Sequence, residues 1–171
     1  MSDTDEMKWI NLEPFYTIDN ELSDKGLIGR YNVFPVMAQD VKKHCSGDSF
    51  DIIYIVHALE HICSKDAEQL LKDCWDLLRP DGYIEVETPD LDKACKLWLA
   101  GKDTRRVLGL FYGGETNEAG QLHQTGFNWN RYKILLKGLG YHRIEEIEVG
   151  DGHDIAEPEY DIRVRAYKCE S

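Results

Sequence analysis

The chain has 171 residues, and its 20 Lys and Arg against 32 Asp and Glu give a formal net charge of −12 at pH 7. Its length suits a single domain over residues 1–171, and its 42% hydrophobic and 30% charged residues favour a packed core over a disordered chain. The acidic charge opposes nucleic-acid binding, which needs clustered Lys and Arg, so we expect a small-molecule partner and no nucleic acid.

The sequence lacks the signals of a membrane or secreted protein. The most apolar stretch, residues 52–56, is far shorter than the ~20 residues that cross a bilayer. The first residues are acidic and contain neither the basic nor the apolar region of a signal peptide. We therefore expect a cytoplasmic protein with no membrane partner.

Two short strand signals open the chain. Residues 9–12 have a strand pattern that stops at Glu13-Pro14. Residues 32–38 have a less regular strand pattern, and a proline among them indicates a sheet edge or the start of a strand. Between them, residues 15–31 are typical of an irregular excursion punctuated by glycine.

The middle of the chain predicts a strand, a helix and a second strand. Residues 50–56 are almost continuously apolar, as in a strand buried on both faces. Apolar residues at helical spacing predict a helix over 66–78. A turn at 79–82 ends that helix, and a strand resumes at 83–88. The unit has a suitable length for a parallel crossover.

The rest of the chain predicts two more helices and a hairpin. Helical patterns recur at 90–99 and 130–139. Strands at 142–149 and 160–167 are expected to pair in antiparallel fashion at an edge of the sheet. Strands that alternate with helices and end in a hairpin indicate an open α/β sheet.

Four segments together resemble a known family. In chain order they are Asp48-Ser49-Phe50-Asp51-Ile52-Ile53-Tyr54, His57-Ala58-Leu59-Glu60-His61, Leu77-Leu78-Arg79-Pro80-Asp81-Gly82-Tyr83-Ile84 and His123-Gln124-Thr125-Gly126-Phe127-Asn128. This order, from residue 9 to residue 168, resembles the class I S-adenosylmethionine-dependent methyltransferases of type 11. The resemblance implies a Rossmann-like, open, mostly parallel α/β sheet with a C-terminal antiparallel hairpin, and methyl transfer to a small-molecule acceptor.

The resemblance also implies a cofactor site at the carboxyl ends of the parallel strands. Glu13 takes the place of the acid that binds the ribose hydroxyls of S-adenosylmethionine, and Asp40 that of the acid facing the adenine amino group. The loop from Val56 to Glu60, with His57, would line the methionine and the sulfonium. Ordinary turn chemistry accounts for Glu13 equally well and is slightly favoured for Asp40.

His57 and His123 are the candidate catalytic residues. The pKa range of histidine suits proton removal from an acceptor hydroxyl or amine. His123 is also consistent with a purely structural hydrogen bond to the loop around Gly126. The choice of acceptor is expected to lie in variable loops at 15–31 and 100–127.

One part of the family pattern is missing. The family begins with a strand and a Gly-x-Gly-x-Gly turn, whereas the eight residues before Trp9 contain neither a glycine nor an apolar strand. The chain thus resembles an N-terminally truncated methyltransferase fold, and we expect weak or absent binding of S-adenosylmethionine by this chain alone. Closure of the second strand on the fourth, a strand donated within a homo-dimer, and a longer natural chain remain open, with closure or self-association favoured.

Two other interpretations remain open. In the first, a non-catalytic methyltransferase remnant serves as an interaction or oligomerisation module, with a collapsed cleft around Val56 to Glu60. In the second, His57-x-x-Glu60-His61 matches the inverted zinc-protease motif and predicts a zinc hydrolase. We assign no metal ligand from the sequence, because His57 is predicted to end a strand instead of lying inside a long helix.

Overall fold

The computed structural model describes residues 11–12, 33–34, 40–48, 50–102, 104–114, 121–149 and 157–168. The chain divides into two compact units, residues 1–45 and 46–171, and a single domain over 1–171 stays a prediction. Within the described ranges, no helix combines the length and the apolar character needed to cross a membrane.

The N-terminal unit contains a pair of very short parallel strands. Strand β1 (Asn11–Leu12) pairs with β2 (Val33–Phe34), with Asn11 opposite Val33. Helix α1 (Val41–His44) follows as a single turn. Both predicted strand segments are confirmed at these residues, whereas the predicted excursion at 15–31 lies outside the described residues.

A strand, a helix and a parallel strand form the first half of the second unit. They are β3 (Phe50–Val56), α2 (Ser64–Leu77) and β4 (Leu78–Pro89), and β3 pairs with β4 in parallel, with Ile53 opposite Ile84. Parallel neighbours require a crossover of a dozen or more residues. Helix α2 supplies it and buries one apolar face, with Leu70, Leu71 and Leu77 inside. The predicted unit is confirmed.

The predicted turn at 79–82 is an irregular part of β4. The register moves from Phe50 opposite Leu78 to Ile52 opposite Tyr83, so extra β4 residues bulge at this point. Gly82 is required there, because a Cβ atom would lie 2.8 Å from the carbonyl oxygen of Asp51. Residues 79–82 therefore form a turn inside a strand that stays paired with β3. Hydrophobic spacing alone does not indicate such a bulge.

The C-terminal half completes a four-stranded sheet. Its elements are α3 (Leu91–Leu99), α4 (Thr104–Tyr112), α5 (Trp129–Gly138), β5 (His142–Ile147) and β6 (Asp161–Tyr167). Strand β6 lies antiparallel between β4 and β5, giving the order β3-β4-β6-β5. The predicted α/β fold with a C-terminal antiparallel hairpin is confirmed.

Helix α4 is an element of the second unit that the sequence prediction missed, because residues 100–127 were expected to be loop. Val107 and Leu110 lie one turn apart on α4 and pack with Ala94 of α3 in a small buried cluster. The apolar face of α4 is only a few residues wide. The helix is therefore stabilised by this tertiary contact with α3 more than by the intrinsic helix propensity of its residues.

Side chains from helices and sheet meet in the main core. Its fully buried members include Leu71, Ile84, Leu136 and Val164. Buried hydroxyls are satisfied within it: the Tyr132 hydroxyl lies 2.9 Å from the Thr88 hydroxyl, and the Tyr141 hydroxyl donates to the carbonyl oxygen of Leu71 at 2.8 Å. These bonds tie α5 and the residues after it to β4 and α2.

We expect Leu136→Ala to lower the free energy of unfolding by about 2 to 5 kcal/mol, because the side chain is fully buried and its loss leaves a cavity. Urea denaturation measures the change. The matched control is Ile134→Ala on the same helix, where the side chain is 67% exposed and the expected change is within about 0.5 kcal/mol. Equal losses for the two variants would contradict this placement of α5.

Candidate functional site

The turn after β3 places three polar side chains at one end of the sheet. His57 leaves the strand with a φ of 46°, in the left-handed region that residues other than glycine seldom adopt. Its N–H donates to the carbonyl oxygen of Glu87 at 2.9 Å, so pairing with β4 continues while the chain turns. A 3-10 turn, Leu59–His61, then brings Glu60 and His61 to the same end.

The His57 ring lies among three buried carboxylates. Its Nδ1 donates to Glu60 Oε1 at 3.1 Å. Its Nε2 lies 3.4 Å from Asp161 Oδ2 and 3.5 Å from Glu87 Oε1. The side chains of the three acids are at most 3% exposed. Charges this deeply buried need a partner of opposite sign, and His57 is a cation that all three share.

These carboxylates set the protonation state of His57. Hydrogen bonding with Asp161, and then with Glu60, raises the pKa of His57 from 6.5 to about 10, although burial of the ring opposes the shift. The ring is therefore an imidazolium at neutral pH. An imidazolium has no lone pair that could accept a proton, so this raised pKa favours a role for His57 in holding the acids in place. Its catalytic role stays a prediction.

A second layer of buried charge lies behind His57 on β4 and β6. Glu85 is opposite Arg165 and Glu87 is opposite Arg163 in the strand register. Arg163, only 3% exposed, places a guanidinium nitrogen 2.6 Å from Glu85 Oε2, and Arg165 Nε donates to Glu85 Oε1 at 2.7 Å. Cross-strand ion pairs thus neutralise Glu85, the acid of this layer that does not face His57.

His123 reaches the same end of the sheet from the segment 121–127. Its N–H donates to the carbonyl oxygen of Tyr112 at 3.1 Å. The close approach of this segment to the end of α4 requires Gly113, where φ is 83° and a Cβ atom would collide with the carbonyl oxygen of Gln121.

The His123 ring is held in one tautomer. Its Nδ1 lies 3.0 Å from the carbonyl oxygen of Leu110. A carbonyl can only accept, so Nδ1 carries the hydrogen and Nε2 carries the lone pair of the neutral ring. Burial lowers the pKa of His123 below its usual 6.5, which favours this neutral form. His57 and His123 are therefore in opposite charge states at neutral pH.

The turn after β3 and the His123 segment are joined directly. The N–H groups of Gln124 and Thr125 donate to the carbonyl oxygen of Glu60 at 2.7 and 3.2 Å. The rings of His61 and His123 meet edge to face with centroids 4.9 Å apart. Two segments far apart in sequence thus form one rigid corner.

This corner is the floor of a cleft of about 1090 Å³. The ionisable residues at its base are His57, Glu60, His61, His123 and Asp161. Leu108, Tyr112 and Leu122 form an exposed apolar rim, and Arg105 and Arg106 line another part. The cleft therefore combines a polar base with apolar walls, as small-molecule sites do.

The structure brings together four of the residues that the sequence predicted for the site. Val56 is the last residue of β3, half-buried and opposite Glu87, and it leads directly into His57 and Glu60. His123 joins them from the other side of the cleft.

The remaining two predicted residues are both in the N-terminal unit. Asp40 precedes α1 and pairs with Lys43 at 2.5 Å, with its side chain exposed. Glu13 lies outside the described residues. The roles predicted for these two acids stay predictions.

Sequence reasoning missed Glu87, Asp161 and Arg163. Their signal was a period of two: acids at 85 and 87 in one strand, and Arg at 163 and 165 in another. Only the Ile, Val and Ala of β6 were taken to be inside, whereas Asp161 and Arg163 are buried as well. Both faces of β6 are covered over residues 161–164, so the alternation there marks no solvent-exposed face.

The inverted zinc-protease interpretation does not fit this geometry. It needs His57 and His61 on one face of a helix, but His57 ends β3 and only residues 59–61 form a 3-10 turn. Both nitrogens of His57 face carboxylates, and none of these acids belongs to the motif apart from Glu60.

Comparisons with known proteins identify the relatives of the chain. The profile of a family described as a methyltransferase domain matches residues 6–131. A comparison with curated proteins finds no match.

Among solved structures, a SAM-dependent methyltransferase from Archaeoglobus fulgidus is 17% identical, with a TM-score of 0.59, over 93% of this chain and 75% of that one. The 1,6-didemethyltoxoflavin-N1-methyltransferase of Burkholderia thailandensis was solved with 1,6-didemethyltoxoflavin and S-adenosylhomocysteine. It is 14% identical, with a TM-score of 0.61, over 95% of this chain and 62% of that one.

An O-methyltransferase family protein from Burkholderia thailandensis is 13% identical, with a TM-score of 0.56, over 88% of this chain and 39% of that one. The chain thus spans less than two thirds of the length of both Burkholderia proteins. At these identities the similarity shows the fold.

We expect His57 to make stability depend on pH. Its folded-state pKa of about 10 lies above the unfolded value of 6.5, so its contribution is complete below pH 6.5 and is lost as the pH rises towards 10. The free energy of unfolding of the wild-type chain should fall across this window, as measured by urea denaturation at successive pH values.

The variant His57→Gln should be less stable than the wild type at about pH 6 and should decline less as the pH rises, because it has no proton to lose in this window. His142→Gln, at an exposed position on β5, should follow the wild-type curve. Parallel curves for His57→Gln and the wild type would be inconsistent with a shared imidazolium.

Proposed function

Because the chain belongs to the methyltransferase domain family, we propose that it transfers the methyl group of S-adenosylmethionine to a small-molecule acceptor held in the cleft. One observation carries the proposal: Glu60, His57 and His123 converge at the carboxyl ends of the parallel strands β3 and β4. Open α/β folds bind their ligands at this edge.

The residues present in the cleft fit this cofactor. Glu60 is 2% exposed, and its Oε2 has no hydrogen-bond partner among the residues that the structure describes. A buried carboxylate oxygen needs a donor, and the methionine part of S-adenosylmethionine offers an ammonium group. We propose that His57 and Glu60, which line the cleft, together with Val56, which precedes them at the end of β3, hold this part of the cofactor. The ribose and adenine roles of Glu13 and Asp40 remain as the family resemblance implies them.

When bound, the cofactor supplies a methyl group made electrophilic by its sulfonium. The chain supplies orientation and a proton acceptor. His123 Nε2 carries the free lone pair of a neutral ring whose Nδ1 is fixed by Leu110, so it can take a proton from an acceptor hydroxyl or amine. His57 stays protonated and keeps Glu60 in position.

The shape of the cleft supports a small acceptor. Its volume of about 1090 Å³ is at the upper end of the range typical of small-molecule sites, and its rim offers Leu108, Tyr112 and Leu122 to an apolar or aromatic group. A non-catalytic remnant was expected to have a collapsed cleft around Val56 to Glu60. The open cleft favours the enzyme.

Other properties are proposed on the sequence pattern alone. They are a single domain, a cytoplasmic location, the absence of nucleic-acid and membrane partners, and a homo-dimer. The net charge of −12 supports the absence of a nucleic-acid partner, because nucleic-acid phosphates are also negative.

We expect the wild-type chain to bind S-adenosylhomocysteine at millimolar concentration, and Glu60→Gln to weaken binding by about tenfold or more because a charge-assisted hydrogen bond is lost. Calorimetry at millimolar ligand measures both. Glu159→Gln, at an exposed position beyond the lining of the cleft, is the control. No binding by the wild-type chain at millimolar ligand would refute the cofactor assignment.

We expect His123→Gln to lower methyl transfer by about 100-fold or more, because it removes the proton acceptor. Binding of S-adenosylhomocysteine should change little. The assay follows a radioactive methyl group from S-adenosylmethionine into a panel of small phenols and amines. The matched control is His142→Gln. Unchanged transfer by His123→Gln to an acceptor that the wild type methylates would remove His123 from the mechanism.

A further inference from the structure

We propose that Glu60, His61 and His123 form a binding site for one divalent transition-metal ion, of which Zn²⁺ is the best matched, on the floor of the cleft. One ligand atom of each residue lies within 4.8 Å of those of the other two. The three residues come from two segments that hydrogen bonds hold together, since Gln124 and Thr125 donate to the carbonyl oxygen of Glu60.

The donor set suits this class of ion. Two imidazoles and one carboxylate form a borderline-soft ligand set that Zn²⁺ and its first-row neighbours prefer over Mg²⁺ or Ca²⁺. Three protein ligands leave a fourth position open towards the cleft. A site of this kind takes water or a small ligand there.

Two of the donor residues have buried polar atoms that lack hydrogen bonds. Glu60 Oε2 and His61 Nδ1 have no hydrogen-bond partner within the described part of the chain. Glu60 is only 2% exposed. Leaving such atoms unsatisfied destabilises the fold. A bound cation would satisfy the carboxylate oxygen directly and would favour the rotation of His61 towards it.

The residues around the three ligands form the second shell that metal sites require. A ligating histidine usually donates its other N–H to a carbonyl or a carboxylate, which orients the ring. The Nδ1 of His123 donates to the carbonyl oxygen of Leu110 at 3.0 Å, which leaves Nε2 for the ion. Glu60 Oε1 accepts from His57 at 3.1 Å and lies 3.9 Å from His61 Nε2, and this contact with His57 orients the carboxylate.

Side-chain rotation has to bring the ligands closer. Bonds of about 2.0 to 2.1 Å place tetrahedral ligand atoms about 3.4 Å apart, whereas the separations here reach up to 4.8 Å. His61 can supply this movement, because its side chain is 25% exposed and its ring meets His123 only edge to face.

A neighbouring trio, His57, Glu87 and Asp161, has similar spacing but offers one imidazole and two carboxylates. His57 Nε2 lies 3.4 Å from Asp161 and 3.5 Å from Glu87. The trio of Glu60, His61 and His123, with two imidazoles, is the better match for Zn²⁺.

The metal site goes beyond the proposed methyl transfer, and the observations that support it do not rest on that proposal. An ion at His123 Nε2 would occupy the lone pair that accepts the proton, so the ion should inhibit transfer and not assist it. Metal binding is measured without cofactor or acceptor, and a failure of one proposal therefore leaves the other intact.

The test uses the full chain without an affinity tag, titrated with Zn²⁺ by calorimetry and with Co²⁺ by visible absorption. We expect one ion per chain and a Co²⁺ spectrum without thiolate charge-transfer bands. His61→Gln and His123→Gln should each weaken binding by about 100-fold or more. His142→Gln, which removes an exposed histidine of β5, should bind as the wild type does.

Cys63 is the main competing ligand, because it is exposed and lies two residues from His61. Cys63→Ser should retain wild-type affinity. His57→Gln removes only the second shell and should weaken binding by about 10 to 100-fold, which keeps the test decisive if a ligand variant does not fold by circular dichroism. Absence of binding at micromolar Zn²⁺, dependence on Cys63, or full affinity in His61→Gln and His123→Gln would overturn the site.

Discussion

The burial of three carboxylates around one imidazole is the constraint on which this corner of the molecule depends. Glu60, Glu87 and Asp161 lie out of water, and a buried charge costs roughly several kcal/mol unless it is compensated. His57 compensates all three, and this holds it protonated. The same requirement keeps the turn after β3 against the ends of β4 and β6, since movement of either strand would leave an acid without its counter-charge.

The two histidines of the cleft illustrate how environment separates residues of one type. His57 faces acids and has a raised pKa, whereas His123 is buried beside a backbone carbonyl and has a lowered pKa. One ring is thus a fixed cation and the other a neutral base or ligand. Pairs of groups pushed apart in this way are typical of catalytic sites, and here Asp161 and Glu60 on one side and burial on the other produce the division.

Glu60 links the two proposals for the cleft. One of its oxygens is held by His57, its backbone carbonyl accepts from the segment that carries His123, and its other oxygen lacks a partner in the described residues. A donor from a nucleoside cofactor and a divalent cation are alternative partners for that oxygen. The family relationship favours the first, and the pair His61 and His123 favours the second, so the two ligands are expected to compete.

The sequence by itself determined most elements of the second unit and part of the site. Apolar spacing located β3, α2, α3, α5 and the hairpin, and the segment of His57 and Glu60 stood out because a polar cluster directly follows an apolar strand. Only the tertiary structure decided that His57 is a cation, that His123 lies beside His61, and that α4 is a helix. Those features depend on Asp161, Leu110 and Ala94, which are distant in the chain, and local spacing carries no information about which distant residue will become a neighbour.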